Sequence, residues 1–253
     1  MIPMKKKIFI IAMAIISTCA IAAGVLPKGS ESSKKKEQNP NQQMDRPQLI
    51  YVYDALCGWC FGFSPTMKKI KDHFGEKMEY TIRSGGLRLP PNTGPIGVVA
   101  PYIKTAYKDV ENACGVKFGD KFVNGTLAEG TMVLNSLPPA IALCIMKERY
   151  PDKAFEFGSL LHDMIYVDGN GSEDYSVYGQ YAAKLGYDEK EFNAKMNDPH
   201  YLKLAQMDFE AAQQLGATSF PTVLIEKNGF ITVLFRGYLP FDRAKAIIDQ
   251  HVK

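Results

Sequence analysis

Two thiols separated by two residues, Cys57-Gly58-Trp59-Cys60, are the side chains of this chain best suited to chemistry. They stand about one helical turn apart, a spacing at which two sulfurs close into a disulfide with little backbone movement. The preceding run, Leu49-Ile50-Tyr51-Val52-Tyr53-Asp54, reads as a strand, and the run from Phe63 to His73 reads as a helix. The pair is therefore expected at a helix start. Unpaired helix N–H groups and the macrodipole favour an anion there, so the first thiol should ionise readily and attack disulfides. The chemistry implied is thiol–disulfide exchange, with Cys57 as nucleophile and Cys60 as resolving thiol. Gly58 and Trp59 fill the first turn beside the Cys57 sulfur, and Trp59 reads as a packing or substrate-contacting aromatic.

Other uses of the pair fit less well. A Cys-x-x-Cys is also half of a zinc site. Cys114 and Cys144, however, have no matching spacing, and His73, His162, His200 and His251 are scattered, so no metal is expected. A purely structural disulfide leaves the second signal without a reason. That signal is Ala217-Thr218-Ser219-Phe220-Pro221-Thr222-Val223-Leu224-Ile225, a proline immediately before an apolar, β-branched run. Proline fits only the first residue or the edge of a strand. A cis bond there would end a loop tightly and carry it against another site.

These elements must be positioned by a larger body. The chain has 253 residues and is 46% hydrophobic, enough for one large domain or a domain with an insertion. Its formal charge is +3, and Lys5, Lys6 and Lys7 account for all of it. The rest is neutral and has no basic-aromatic stripe, which excludes a nucleic-acid binder on charge grounds. Residues 1–26 read as an export segment: three lysines, an apolar core from Ile8 to Ile16, then Ala20-Ile21-Ala22 as a cleavage site. Lipidation at Cys19 and an uncleaved membrane anchor are the two alternatives, and all three place the body in the periplasm or otherwise outside the cytoplasm. Residues 27–46 read as a disordered polar linker.

Met78 to Arg83 reads as a second strand ended by Gly85-Gly86. Thr222 to Glu226 and Ile231 to Phe235 read as a hairpin turned at Asn228-Gly229. Asp242 to His251 reads as a terminal amphipathic helix. Between about residues 90 and 206 the pattern is helical, with four or five helices. Asp152 is placed to cap Lys153 to Ile165, Ser172 or Asp174 a helix stopping at Gly186, and Asp188 with Glu191 forms a capping-box-like pair. Asp198-Pro199 opens a helix ending at Gly216.

Asp54-Ala55-Leu56-Cys57-Gly58-Trp59-Cys60 and Ser219-Phe220-Pro221-Thr222 together resemble the thioredoxin superfamily, and within it the DsbA-like thiol:disulfide oxidoreductases. Arg236-Gly237-Tyr238-Leu239-Pro240-Phe241 resembles the end of that fold. Ser84-Gly85-Gly86-Leu87 resembles the predicted protein-disulfide isomerases of that branch. The resemblance spans roughly 200 residues, from about Gln48 onward. It implies an α/β fold with a thioredoxin-like domain at 47–89 and 207–253 and a helical insertion at 90–206. It implies a cis-Pro loop at Pro221, with Phe220 opposite Cys57 contacting substrate and sulfur; a plain core phenylalanine is the alternative. Proline there keeps an N–H donor away from the thiolate and presents neighbouring backbone for strand addition.

The implied activity is exchange with protein cysteines, without a cofactor, served by a membrane or periplasmic redox partner. A reductase or an isomerase of the same fold, or a glutathione-dependent small-molecule isomerase or transferase, are the alternatives. Oxidising members often carry a histidine between the cysteines; Gly58-Trp59 has none, so a potential below the roughly −120 mV of DsbA itself is expected. Cys114 and Cys144 are either a structural disulfide or two unpaired thiols with Cys144 buried, a redox role being a third reading. Asp54 either assists proton transfer from Cys60 or caps the turn after its strand. The tyrosines Tyr102, Tyr107, Tyr166, Tyr175, Tyr178 and Tyr181 read as core and rim residues, some of them lining a groove.

Overall fold

Strand β1 (Gln48–Tyr53) is buried along nearly its whole length, as its continuous apolar and aromatic sequence requires of a central strand. In the computed structural model, which describes residues 46–252, the expected leader, Cys19 and all but the last residue of the linker lie outside the described part. Helix α1 (Gly58–Phe74) follows β1 and buries Cys60, Phe61, Phe63, Met67, Ile70 and Phe74, a stripe at helical spacing. It ends at Gly75, where φ is +50°. The chain then returns as β2 (Glu79–Ser84), parallel to β1, with Gln48 opposite Glu79 and Tyr53 opposite Ser84.

The helical region opens with β3 (Gly94–Pro95) and α2 (Ala100–Cys114). A π-helical stretch, Lys121–Thr126, runs into one α-turn, Leu127–Glu129. Strand β4 (Val133–Leu134) pairs antiparallel with β3, a ribbon too short to leave any periodicity in the sequence. Then come α3 (Leu137–Arg149), α4 (Ala154–Tyr166), α5 (Tyr178–Ala183), α6 (Glu189–Lys195) and α7 (Pro199–Gln214). Two expected caps form: Asp188 accepts from Glu191 N at 2.8 Å, and Asp198 accepts from His200 N at 2.9 Å.

Two others do not. Asp152 falls within a 3₁₀ turn, Pro151–Lys153, and α4 begins after it with no side-chain cap. Ser172 donates instead to Val133 O at 2.8 Å, and Asp174 accepts from Ser176 N at 3.1 Å in a local turn, so α5 starts only at Tyr178. Short polar side chains choose the nearest backbone partner, and here tertiary neighbours supplied one.

Helix α7 crosses the expected boundary at 206 and packs against both α3 and β2. Its buried Asp208 accepts from Arg83 Nη1 at 3.1 Å and Lys147 Nζ at 2.6 Å, tying a sheet residue to a helix of the insertion. Strands β5 (Thr222–Lys227) and β6 (Phe230–Arg236) complete a sheet of order β2-β1-β5-β6. Their turn residues Asn228 and Gly229 both have positive φ, 55° and 78°, the backbone that a two-residue hairpin needs to match strand twist. Helix α8 (Phe241–Ile248) closes the chain. A large hydrophobic cluster runs through one face of the sheet, α1 and the helical region, and a smaller one of Ile50, Val52, Ala212, Ala217 and Leu224 joins the sheet to α7. No helix among the described residues is long and apolar enough to cross a membrane.

Candidate active site

Three segments converge on the cysteine pair. Cys57 is the residue immediately before α1, in extended backbone. Its N–H donates to Asp54 O at 3.0 Å, and its own carbonyl accepts from Cys60 N at 2.9 Å and Phe61 N at 3.0 Å. The first sulfur thus stands at a helix start, where the free N–H groups lie. Cys57 is 8% exposed and Cys60 0%, so substrate reaches the first sulfur before the second. Burial pushes the Cys60 thiol well above its ordinary pKa, and its interaction with Cys57 adds to the shift. Cys60 is therefore held as a thiol and must lose a proton to act.

The second segment is the loop before β5. The Phe220–Pro221 peptide is cis, and Thr222 follows as the first residue of β5, opposite Val52. Cys57 Sγ donates to Phe220 O at 3.4 Å. The contact of Phe220 with the sulfur is thus made by its carbonyl. Its half-buried ring packs over Gly85, where any Cβ would overlap the ring. This gives the Gly85 of Ser84-Gly85-Gly86-Leu87 a reason: it leaves room for the ring that seats the loop.

The third segment is the end of β1. Asp54 is buried; its Oδ1 accepts from Leu56 N at 2.9 Å and Ser136 Oγ at 3.0 Å, and its Oδ2 from Leu87 N at 2.8 Å. Burial raises its pKa, against the pull of these donors. The carboxyl holds three chain segments together, and its bond to Leu56 N is the turn contact that the cap reading expects. From the opposite side, His162 of α4 places Nε2 3.2 Å from Asp54 O and Nδ1 3.0 Å from Ser64 Oγ. Burial depresses the imidazole to about 4, so the ring is neutral near neutrality.

Beside Cys57 lies a cavity of about 270 Å³, with Trp59, Arg88, Tyr102, Tyr107 and Phe118 among its walls. Tyr166 also lines it, whereas Tyr175, Tyr178 and Tyr181 do not. Between α1 and α4 is a second cavity of about 300 Å³ that includes Tyr51, Tyr53 and His162 in its wall. Among the described residues, no group of three or more His, Cys, Asp or Glu is placed to hold a metal ion.

The bridge offered between Cys114 and Cys144 is not formed; both thiols are free. Cys114 closes α2 and packs against Gly62 of α1, while Cys144 is buried within α3 beside Arg83, Lys147 and Asp208. Each thiol belongs to a different helix contact. Sequence reading passed over His162, Ser64, Ser136, Gly85 and Arg88 as site residues. One signal was present: His162 interrupts the apolar face of α4 with a ring that needs two partners.

The family model of the DSBA-like thioredoxin domain matches residues 48–245. No curated protein matches the chain by sequence. Among solved structures, a protein from Nitrosomonas europaea assigned as a protein disulfide isomerase superposes with a TM-score of 0.71 at 20% identity, covering 81% of this chain and 97% of its own. The cytosolic disulfide reductase DsbM from Pseudomonas aeruginosa gives 0.68 at 24% identity, covering 81% and 98%; its form with GSH gives 0.66. A 2-hydroxychromene-2-carboxylate isomerase gives 0.55 at 14% identity, covering 81% and 94%. At these identities the likeness is one of fold.

Proposed function

The chain belongs to the DSBA-like thioredoxin family of thiol:disulfide oxidoreductases, and we propose that it is an exported member exchanging disulfides with protein cysteines through Cys57 and Cys60. One observation carries this reading. The Cys57 sulfur, at a helix start, faces the carbonyl that precedes Pro221. An extended peptide laid beside that loop as an added strand would bring its own sulfur to Cys57.

The chemistry then follows from the asymmetry of the pair. The Cys57 thiolate attacks one sulfur of a substrate disulfide; a new S–S bond forms, the old one breaks, and the departing thiolate takes a proton. Cys60 gives up its proton and attacks the Cys57 sulfur, which releases the second substrate thiol. The substrate gains two electrons and the pair becomes a disulfide. The reverse sequence oxidises a substrate dithiol, and a membrane or periplasmic partner resets the pair. Export is supported by Lys5, Lys6 and Lys7 and the apolar run after them. Gly58-Trp59 supplies no cation beside Cys57, which favours a potential lower than the roughly −120 mV of DsbA.

A second reading is a glutathione-using reductase or small-molecule isomerase. The cavity beside Cys57, with the Arg88 cation in its wall, favours it. Retention of a second, buried thiol argues for protein disulfides instead.

Titrating Cys57–Cys60 against glutathione, with Cys57→Ser as control, tests the reading. A potential well above about −180 mV makes the chain an oxidase or isomerase, and one near about −270 mV makes it a reductase with a dedicated donor. Absence of a titration would overturn the exchange mechanism.

A further inference from the structure

His162 is buried inside an apolar helix face, yet both of its nitrogens are engaged, and every partner is a part of the redox loop or of α1. Asp54 O accepts two hydrogens, one from Cys57 N at 3.0 Å and one from His162 Nε2 at 3.2 Å. A neutral ring that donates from Nε2 accepts at Nδ1. Ser64 Oγ lies 3.0 Å from Nδ1 and 3.1 Å from Cys60 O, so its one hydrogen is shared between these two acceptors. A single side chain of the insertion therefore reaches the backbone of both cysteines, one directly through Asp54 and one through Ser64. A phenylalanine would fill the same space against Tyr53, Phe61 and Tyr166 but make neither contact.

We propose that His162 is a positioning residue for disulfide exchange: it fixes the Asp54 and Cys60 carbonyls so that the buried Cys60 sulfur stays aligned on Cys57 in the mixed disulfide. This rests on the exchange reading above. The first attack, at the surface, needs only Cys57. The second needs two sulfurs of one turn to meet in line, and small misplacements of reacting atoms cost large factors in rate.

The test is a single turnover of the full chain with oxidised glutathione, quenched in acid, with the glutathione adduct of Cys57 followed by mass. For His162→Phe, adduct decay should slow about tenfold while adduct formation stays within about twofold of wild type. His162→Gln, whose amide reaches Asp54 O, should recover most of the loss. Ser64→Ala leaves the core unchanged and should slow decay about threefold, which keeps the test valid if His162→Phe fails to fold. Wild-type decay in both His162→Phe and Ser64→Ala would overturn the proposal, as would an equal fall in formation and decay. If the wild-type chain forms no adduct, the exchange reading itself fails, and this proposal with it.

Discussion

Cys57 and Cys60 stand at the start of a helix; Cys114 stands at the end of one and Cys144 in the middle of another. The residue type is the same in all four, and the surroundings separate them. Cys57, 8% exposed, meets the free N–H end of its helix and a backbone carbonyl. Cys114 meets the carbonyl end of α2, and burial pushes its thiol up to about 11. Cys144 lies buried in α3, and burial pushes it to about 12. Thiolate is the reactive form, so at pH 7 these last two carry only about 10⁻⁴ and 10⁻⁵ of it. Burial and neighbouring groups, more than the presence of a thiol, distinguish these cysteines.

The largest effect that could break this contrast comes from serine scanning. Cys57→Ser should lower turnover of a protein disulfide on the order of 10³-fold or more, and Cys60→Ser should accumulate the mixed disulfide. Cys114→Ser and Cys144→Ser should stay within about threefold of wild type, since neither sulfur takes part in exchange. An insulin reduction assay with each variant decides; loss of turnover in Cys114→Ser would erase the distinction.

The next effect lies in the insertion beneath the reactive pair. The folded His162 value of about 4 is below the ordinary value of about 6.5, so the unfolded chain binds more protons between them. Stability from this group is present above about pH 6.5 and is lost as pH falls through 4, amounting to about 3 kcal/mol. Urea melts at stepped pH should show that loss in wild type and lack it in His162→Gln. Identical pH profiles for the two would mean that the ring is not held neutral.

A smaller effect sharpens the comparison at its point of contact. A Cβ on Gly62 would fall 2.6 Å from Cys114 Sγ and 2.8 Å from Val110 Cγ1. Gly62→Ala should destabilise by about 1–2 kcal/mol, and Cys114→Ala added to it should return part of this by removing the sulfur. Strict additivity of the two substitutions in thermal melts would show that Cys114 does not pack on α1.

Much of the scaffold was legible because it rests on local rules. The hairpin needed two residues of positive φ, and Asn228-Gly229 supplies them. The starts of α6 and α7 needed acceptors for free N–H groups, and Asp188 and Asp198 supply them. The failures were local rules overruled from elsewhere. Ser172 was free to cap a helix but bonded Val133 O, a residue 39 positions away. The β3–β4 ribbon has two residues per strand, too few for any pattern.

The residues themselves determined that Cys57 precedes a helix and that Pro221 precedes a strand, and their pairing pointed to disulfide exchange. Those are statements about neighbours in sequence, which helix geometry and backbone sterics fix within one or two turns. That Phe220 O faces Cys57, that the Asp54 carboxylate reaches Ser136, and that His162 grips the redox loop from the insertion were decided only by tertiary structure. Each joins atoms separated by 82 to 163 residues in the chain. A polar group withdrawn from water must find a partner, and packing alone determines which distant group is near enough to be it.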